Sequence, residues 1–92
     1  MKDKSVNGWI SDELNGHLSA HCERNGLSKS TFIRTIIYKR IKNDNYSVFG
    51  GDTGTFDCSV NAWIDEDSYA DLKRNIRGNM SKWLRDAIYD EL

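Results

Sequence analysis

The chain of 92 residues contains no proline and two cysteines, Cys22 and Cys58. Without proline no long stiff linker is implied. The two cysteines make no metal-ligand spacing, and a disulfide between them is not expected in a reducing cytosol. His17, His21 and Cys22 fall close together on a helix, but a zinc site needs a fourth ligand. The expectation there is a buried thiol beside surface histidines. Also missing are a nucleophile elbow, a P-loop and a metal box, so neither an enzyme nor a cofactor is expected. No stretch approaches the ~20 apolar residues that span a bilayer. The opening MKDKSVNGW lacks the apolar run of a secretory signal. The expected location is cytoplasmic, with no membrane partner.

An excess of one charge sign is absent too. Thirteen bases face 14 acids, for a formal net charge of −1. The distribution is uneven: eight bases against four acids through Lys42, then five against ten. The first part can sit on a polyanion, and the second gains little from bulk charge.

What the chain does have is a repeat. SVNGWI at Ser5–Ile10 returns as SVNAWI at Ser59–Ile64. Beyond these strings Leu18 answers Leu72. SKSTFIRTIIYKRI then answers NMSKWLRDAIYDEL, pairing Phe32 with Trp83, Ile33 with Leu84, Arg34 with Arg85, Ile37 with Ile88, Tyr38 with Tyr89 and Ile41 with Leu92. A unit of about 35 residues is duplicated. The chain length suits one small domain, not two independent cores. The expected organisation is a single domain, 1–92, with a first unit at 4–42, a linker at 43–57 and a second unit at 58–92.

Each unit opens with alternation. Val6, Gly8 and Ile10 have one parity, and Ser5, Asn7 and Trp9 the other, as in a strand with one face toward a core. Ser11 caps a following helix with Asp12 and Glu13 in its first turn, and Asp65, Glu66 and Asp67 repeat the arrangement. Leu14, Leu18 and Cys22 form the first apolar stripe, and Tyr69, Leu72 and Ile76 its counterpart. Gly26 and Gly78 are the expected helix ends. A second helix starts after Ser28 or Asn79. Its stripe is Phe32, Ile33, Ile36, Ile37 and Ile41, answered by Trp83, Leu84, Ala87, Ile88 and Leu92. The join is turn-like around Gly50–Gly54, and Phe56 to Cys58 can extend the second strand. A lone strand of about six residues cannot stand as a sheet. Two units solve this by pairing their strands as an antiparallel ribbon over four helices, with Gly8 and Ala62 letting the ribbon sit close. The expected fold is mainly α with a two-stranded antiparallel ribbon, in the order β-α-α-β-α-α.

A strand, a capped helix, NG-x-S-x-S and an amphipathic helix resemble the ribbon–helix–helix family of the Arc and MetJ type. The segment ISDEL…ERNGLSKSTFIRTII carries the resemblance best. The second unit has a shorter first helix and keeps N-M-S where the first has S-K-S. With two units in one chain, the resemblance is to the rarer tandem form, a pseudo-dimer. It implies sequence-specific binding of double-stranded DNA by the ribbon in the major groove, as in a transcriptional repressor of phage or plasmid type, with possible self-association of chains on adjacent sites. Carried over by position, the base-contacting residues are Ser5, Asn7 and Trp9 with Ser59, Asn61 and Trp63. Phosphates would meet the starts of the second helices, at Ser28, Lys29, Ser30 and Thr31 and at Asn79, Met80, Ser81 and Lys82. Lys2 and Lys4 precede the ribbon and can follow the phosphate backbone. With unlike halves, the chain need not read a perfect palindrome.

Asn7 and Asn61 suit adenine, whose N7 and N6 match a carboxamide. The tryptophans depart from the family pattern, in which arginine or lysine reads guanine. Three roles stay open for them: contact with thymine methyls or sugar, a ring folded over the core edge, or anchors of a protein contact. The last defines the alternative function, a protein-binding adaptor or inhibitor on the same scaffold. Arg34 and Arg85 occupy matched positions where they can pair with carboxylates of the other unit. Lys39, Arg40 and Lys42 read as a solvated helix end.

Overall fold

The computed structural model describes residues 3–48, 55–76 and 79–92. Lys2, the turn around Gly50–Gly54 and the expected terminator Gly78 lie outside the described residues. The elements run β1 (Asp3–Ile10), α1 (Asp12–Asn25), α2 (Lys29–Lys42), β2 (Cys58–Asp65), α3 (Glu66–Asn75) and α4 (Met80–Glu91). The order is the expected β-α-α-β-α-α. Both strands are longer than the repeated strings, but Phe56 stays outside β2.

Local chemistry sets the helix limits. The Ser11 hydroxyl accepts from the Leu14 N–H at 3.1 Å, satisfying one of the free amides that open a helix. At the other end Gly26 takes φ 64°. There the Leu27 N–H reaches the Cys22 carbonyl and the Gly26 N–H reaches that of Glu23, a Schellman closure. The end of α2 repeats this geometry with Asp44 at φ 51°, as Asn45 and Asp44 donate to Arg40 and Ile41. The chain then turns back, bringing the Tyr46 ring to 6.4 Å from that of Trp83. Helix α3 is shorter than α1 and ends at Asn75, with Ile76 leaving in extended conformation.

The strands pair antiparallel, with Val6 opposite Ala62, Asn7 opposite Asn61 and Gly8 opposite Val60. Val6, Ile10, Val60, Ala62 and Ile64 face inward and are buried with Leu18, Ile33, Ile37, Leu72, Trp83, Leu84 and Ile88. Leu92 departs from expectation: it is 42% exposed, because α4 ends at Glu91 and position 92 overruns the packed stripe.

Helix packing crosses between the halves. β1 lies chiefly on α4, and β2 on α2. Each strand therefore buries its apolar face on a helix from the other half of the sequence. Polar contacts follow the same crossing. The Tyr38 hydroxyl donates to Asp65 Oδ1 at 2.7 Å and accepts from the Asp65 N–H. Arg40 Nη2 meets Asp90 Oδ2 at 2.7 Å, and Lys39 Nζ meets Glu91 Oε1 at 3.1 Å. Arg40 is thus not part of a solvated helix end. It is 3% exposed, because position 40 continues the stripe of Ile33, Ile36 and Ile37.

Asp65 caps α3 through the Ser68 N–H. Hydrogen bonds from the Ser68 hydroxyl, then from Tyr38, hold its carboxyl down from the ordinary 3.8 to about 2. A depressed acid contributes stability that is complete above its unfolded value and is lost as pH falls through its folded one. Acid titration of the folded state is therefore expected to lose this increment between about pH 4 and pH 2. In Asp65→Asn that part of the pH–stability curve should be flatter than in the parent, as followed by urea midpoints. An identical slope in both proteins would refute the coupling.

Candidate nucleic-acid interface

Strand alternation decides what the ribbon shows to solvent. With Val6, Gly8 and Ile10 turned in, Ser5, Asn7 and Trp9 turn out. The same parity in β2 turns out Ser59, Asn61 and Trp63. All six predicted base-contacting residues share one face. The register sets Ser5 opposite Trp63, Asn7 opposite Asn61 and Trp9 opposite Ser59. Repeat-equivalent residues are thereby exchanged about the Asn7–Asn61 pair. Trp9 and Trp63 are each 52% exposed, so neither ring folds over the core.

Backbone bonding brings these side chains together. The Trp9 N–H points off the sheet edge, donating to Ser81 Oγ at 2.9 Å. Trp9, Asn7 and Ser5 therefore occupy non-hydrogen-bonded pairs, where facing Cα atoms are about 4.5 Å apart. Asn7 is further held by the Ser5 hydroxyl, which donates to its Oδ1 at 3.0 Å. The carboxamide keeps both N–H donors and a second oxygen lone pair for a ligand.

The ribbon edges differ. On the β1 edge, Arg85 Nη1 donates to the Trp9 carbonyl at 3.0 Å and its guanidinium lies 3.7 Å from the Phe56 ring centroid. The expected carboxylate partner of Arg85 is replaced by a backbone carbonyl and an aromatic face. Close approach here needs Gly8: a Cβ would stand 3.2 Å from Leu84 Cδ2 and 3.4 Å from Ser81 Cα. On the β2 edge, where Ala62 replaces glycine, a hollow of about 290 Å³ lies between Ser28, Lys29, Ser30 and Ile33 of the α2 start and Ser59, Val60 and Asn61.

The predicted phosphate residues divide by role. Ser28 Oγ accepts from the Thr31 N–H at 3.2 Å and donates to Thr31 Oγ1 at 2.7 Å. Asn79 Oδ1 accepts from the Ser81 and Lys82 amides. Both are helix caps first. Lys29 Nζ donates to Asn15 Oδ1 at 3.1 Å, and Ser30 and Lys82 are exposed. Met80 packs against the core, which leaves its backbone as the part able to meet a ligand. Lys4 is exposed near the start of β1.

Two carboxylates beside the repeated strings are repeated as well: Asp3 at the outward parity of β1, and Asp57 one residue before β2. Asp3 and Asp57 stand two residues before Ser5 and Ser59, so the repeat is D-x-S-V-N-x-W-I. Extending the string backward would have found them. Asp3 also faces Asp65 across the ribbon. Among the described residues the outward positions of β1 and β2 hold no lysine or arginine. Away from the ribbon, burial pushes the Cys22 thiol up, and the His21 ring lies 4.6 Å from that of Phe32. Among the described residues no three His, Cys, Asp or Glu side chains converge as a metal cluster. No helix there is long and apolar enough to cross a membrane.

No protein-family model, no curated protein and no solved structure matches this chain.

Proposed function

We propose that this chain is a tandem ribbon–helix–helix protein, a single-chain pseudo-dimer, that binds double-stranded DNA with β1 and β2 in the major groove and acts as a transcriptional repressor. The observation that carries the reading is one outward face bearing Ser, Asn and Trp from both strands, exchanged about the Asn7–Asn61 pair. A major groove ≈ 12 Å wide admits a two-stranded ribbon. The capped starts of α2 and α4 flank the strands, and each carries a lysine, Lys29 or Lys82. Helix-start amides and lysines at the two lips suit phosphates, which fix register, while the ribbon floor meets base edges. Repression follows when the bound chain, or several chains on adjacent sites, blocks access to the duplex.

A protein partner is the second reading, favoured by a specific observation. The outward ribbon positions lack a base, carry Asp3 and Asp65 at one end, and expose two indoles. Trp anchors within a polar surround suit a protein contact.

Selection of bound duplexes from a random pool at physiological salt, followed by a salt titration, separates the two. The DNA reading expects an enriched motif. Phosphate contacts from Lys4, Lys29 and Lys82 should give a slope of log K against log salt of roughly −3, at about −0.9 per contact. No enrichment, with a flat salt response for a captured protein partner, would discard the DNA reading.

A further inference from the structure

The two halves of the chain are unlike almost everywhere except on the ribbon. Gly8 answers Ala62, Lys4 answers Cys58, and one edge is closed by Ser81 and Arg85 where the other holds a hollow. At the ends Asp65 answers Ser11, but between them the outward positions agree: Ser5 with Ser59, Asn7 with Asn61 and Trp9 with Trp63. The antiparallel register places these equal residues symmetrically about the Asn7–Asn61 pair. A surface that reads the same from both ends suits a ligand that reads the same from both ends. The unlike halves therefore do not prevent a palindromic target, because their differences lie off the reading face.

The chemistry of the face narrows the composition. Guanine is read best by a bidentate arginine or lysine, and the outward positions have neither. A carboxamide pairs with adenine at N6 and N7, and apolar surface meets the thymine methyl. Consecutive outward residues lie two positions apart, which at about 3.3 Å per residue is roughly 6.6 Å. Stacked bases rise about 3.4 Å per step, so each indole falls about two base pairs beyond its neighbouring asparagine.

Resting on the DNA reading above, we propose that the target is a two-fold symmetric A·T-rich core in which Asn7 and Asn61 take adenines near the centre and Trp9 and Trp63 cover the C5-methyl groups of thymines about two steps further out. The tryptophans then determine specificity through one methyl group each. Lys29 and Lys82 at the flanks supply the charge that suits the phosphates, so the ribbon floor can stay uncharged between its ends.

The test starts from the duplex enriched in the random pool. Each outer thymine is replaced by deoxyuridine, which removes only the methyl, and affinity is read by fluorescence anisotropy. Loss of one buried methyl is expected to weaken binding about 4-fold, and loss of both about 15-fold. The variant Trp9→Ala with Trp63→Ala should bind thymine and deoxyuridine duplexes equally. An enriched motif that is asymmetric, or whose deoxyuridine forms bind within twofold of the parent, overturns this inference and leaves DNA binding standing. A double variant that still discriminates the methyl also overturns it. Absence of any enriched duplex overturns both readings together.

Discussion

Trp83→Ala is expected to bring this protein to the edge of unfolding at room temperature. Trp83 is fully buried in the core, and its Nε1 donates to the Asn45 carbonyl at 3.4 Å. Removing such a ring costs about 3–5 kcal/mol, because the transfer energy is lost and the cavity closes incompletely. Small domains have only about 5–15 kcal/mol in total. At about 4–8 °C per kcal/mol for this size, the midpoint should fall by roughly 12–40 °C. The effect reaches further than α4. Trp83 backs the turn that returns through Tyr46 and belongs to α4, the helix on which β1 of the opposite half rests. Urea denaturation followed by far-UV circular dichroism gives the measurement. Trp9→Ala and Trp63→Ala are internal controls, expected within about 0.5 kcal/mol of the parent as surface changes. If Trp83→Ala were as mild as these controls, the shared core over the crossed helices would be wrong.

Asn7→Ala combined with Asn61→Ala should remove most of the sequence preference, leaving the methyl discrimination of the indoles, with general DNA affinity nearly intact. A bidentate amide–adenine pair contributes about 1–3 kcal/mol of discrimination. Two such losses come to about 2–6 kcal/mol, or roughly 30-fold to more than 10⁴-fold on the selected duplex. The residues face each other across the ribbon, so their effects need not add. Random duplexes held through Lys4, Lys29 and Lys82 should be bound with unchanged affinity and an unchanged salt slope. Both side chains are exposed, so folding stability should not move beyond about 0.5 kcal/mol. An equal drop on selected and random DNA would remove these asparagines from base reading. The same variant bears on the protein-partner reading, in which the asparagines matter less than the indoles.

Much of the architecture was legible because it rests on short-range chemistry. Ser11 and Ser28 bind amides three residues ahead, and Gly26 takes a left-handed conformation that lets a helix close. Alternation in β1 and β2 separates the inward Val6, Val60 and Ala62 from the outward Ser5, Asn7, Ser59 and Asn61, since mid-strand a side chain has no third choice. The repeat supplied the pairing, because neither strand could be buried alone. The acidic pair Asp3 and Asp57 is equally legible, because the repeat extends two residues before each serine.

Other features had no local signature. Arg40 sits on an apolar stripe, and its charge alone points to solvent; the partner that holds it inside, Asp90, is distant in sequence. Arg85 looked like a partner for a carboxylate, but the edge of β1 offered the Trp9 carbonyl and the join offered Phe56. A tryptophan at a strand end can turn over the core or away from it, and alternation alone leaves both open when the chain is about to leave the sheet. Packing of β1 on α4 and β2 on α2 filled the interior from the opposite half, and the two indoles were left outside.

The elements, their caps, the antiparallel ribbon and the parity of its outward face follow from residue order alone, because each depends on neighbours a few residues apart or on the internal repeat. That each strand rests on the other half's second helix, that one ribbon edge is closed while the other keeps a hollow, and where the guanidinium groups of Arg40 and Arg85 go, emerge from the folded whole. Those outcomes depend on which distant surfaces meet and how closely, a matter of volume and contact that local pattern does not encode.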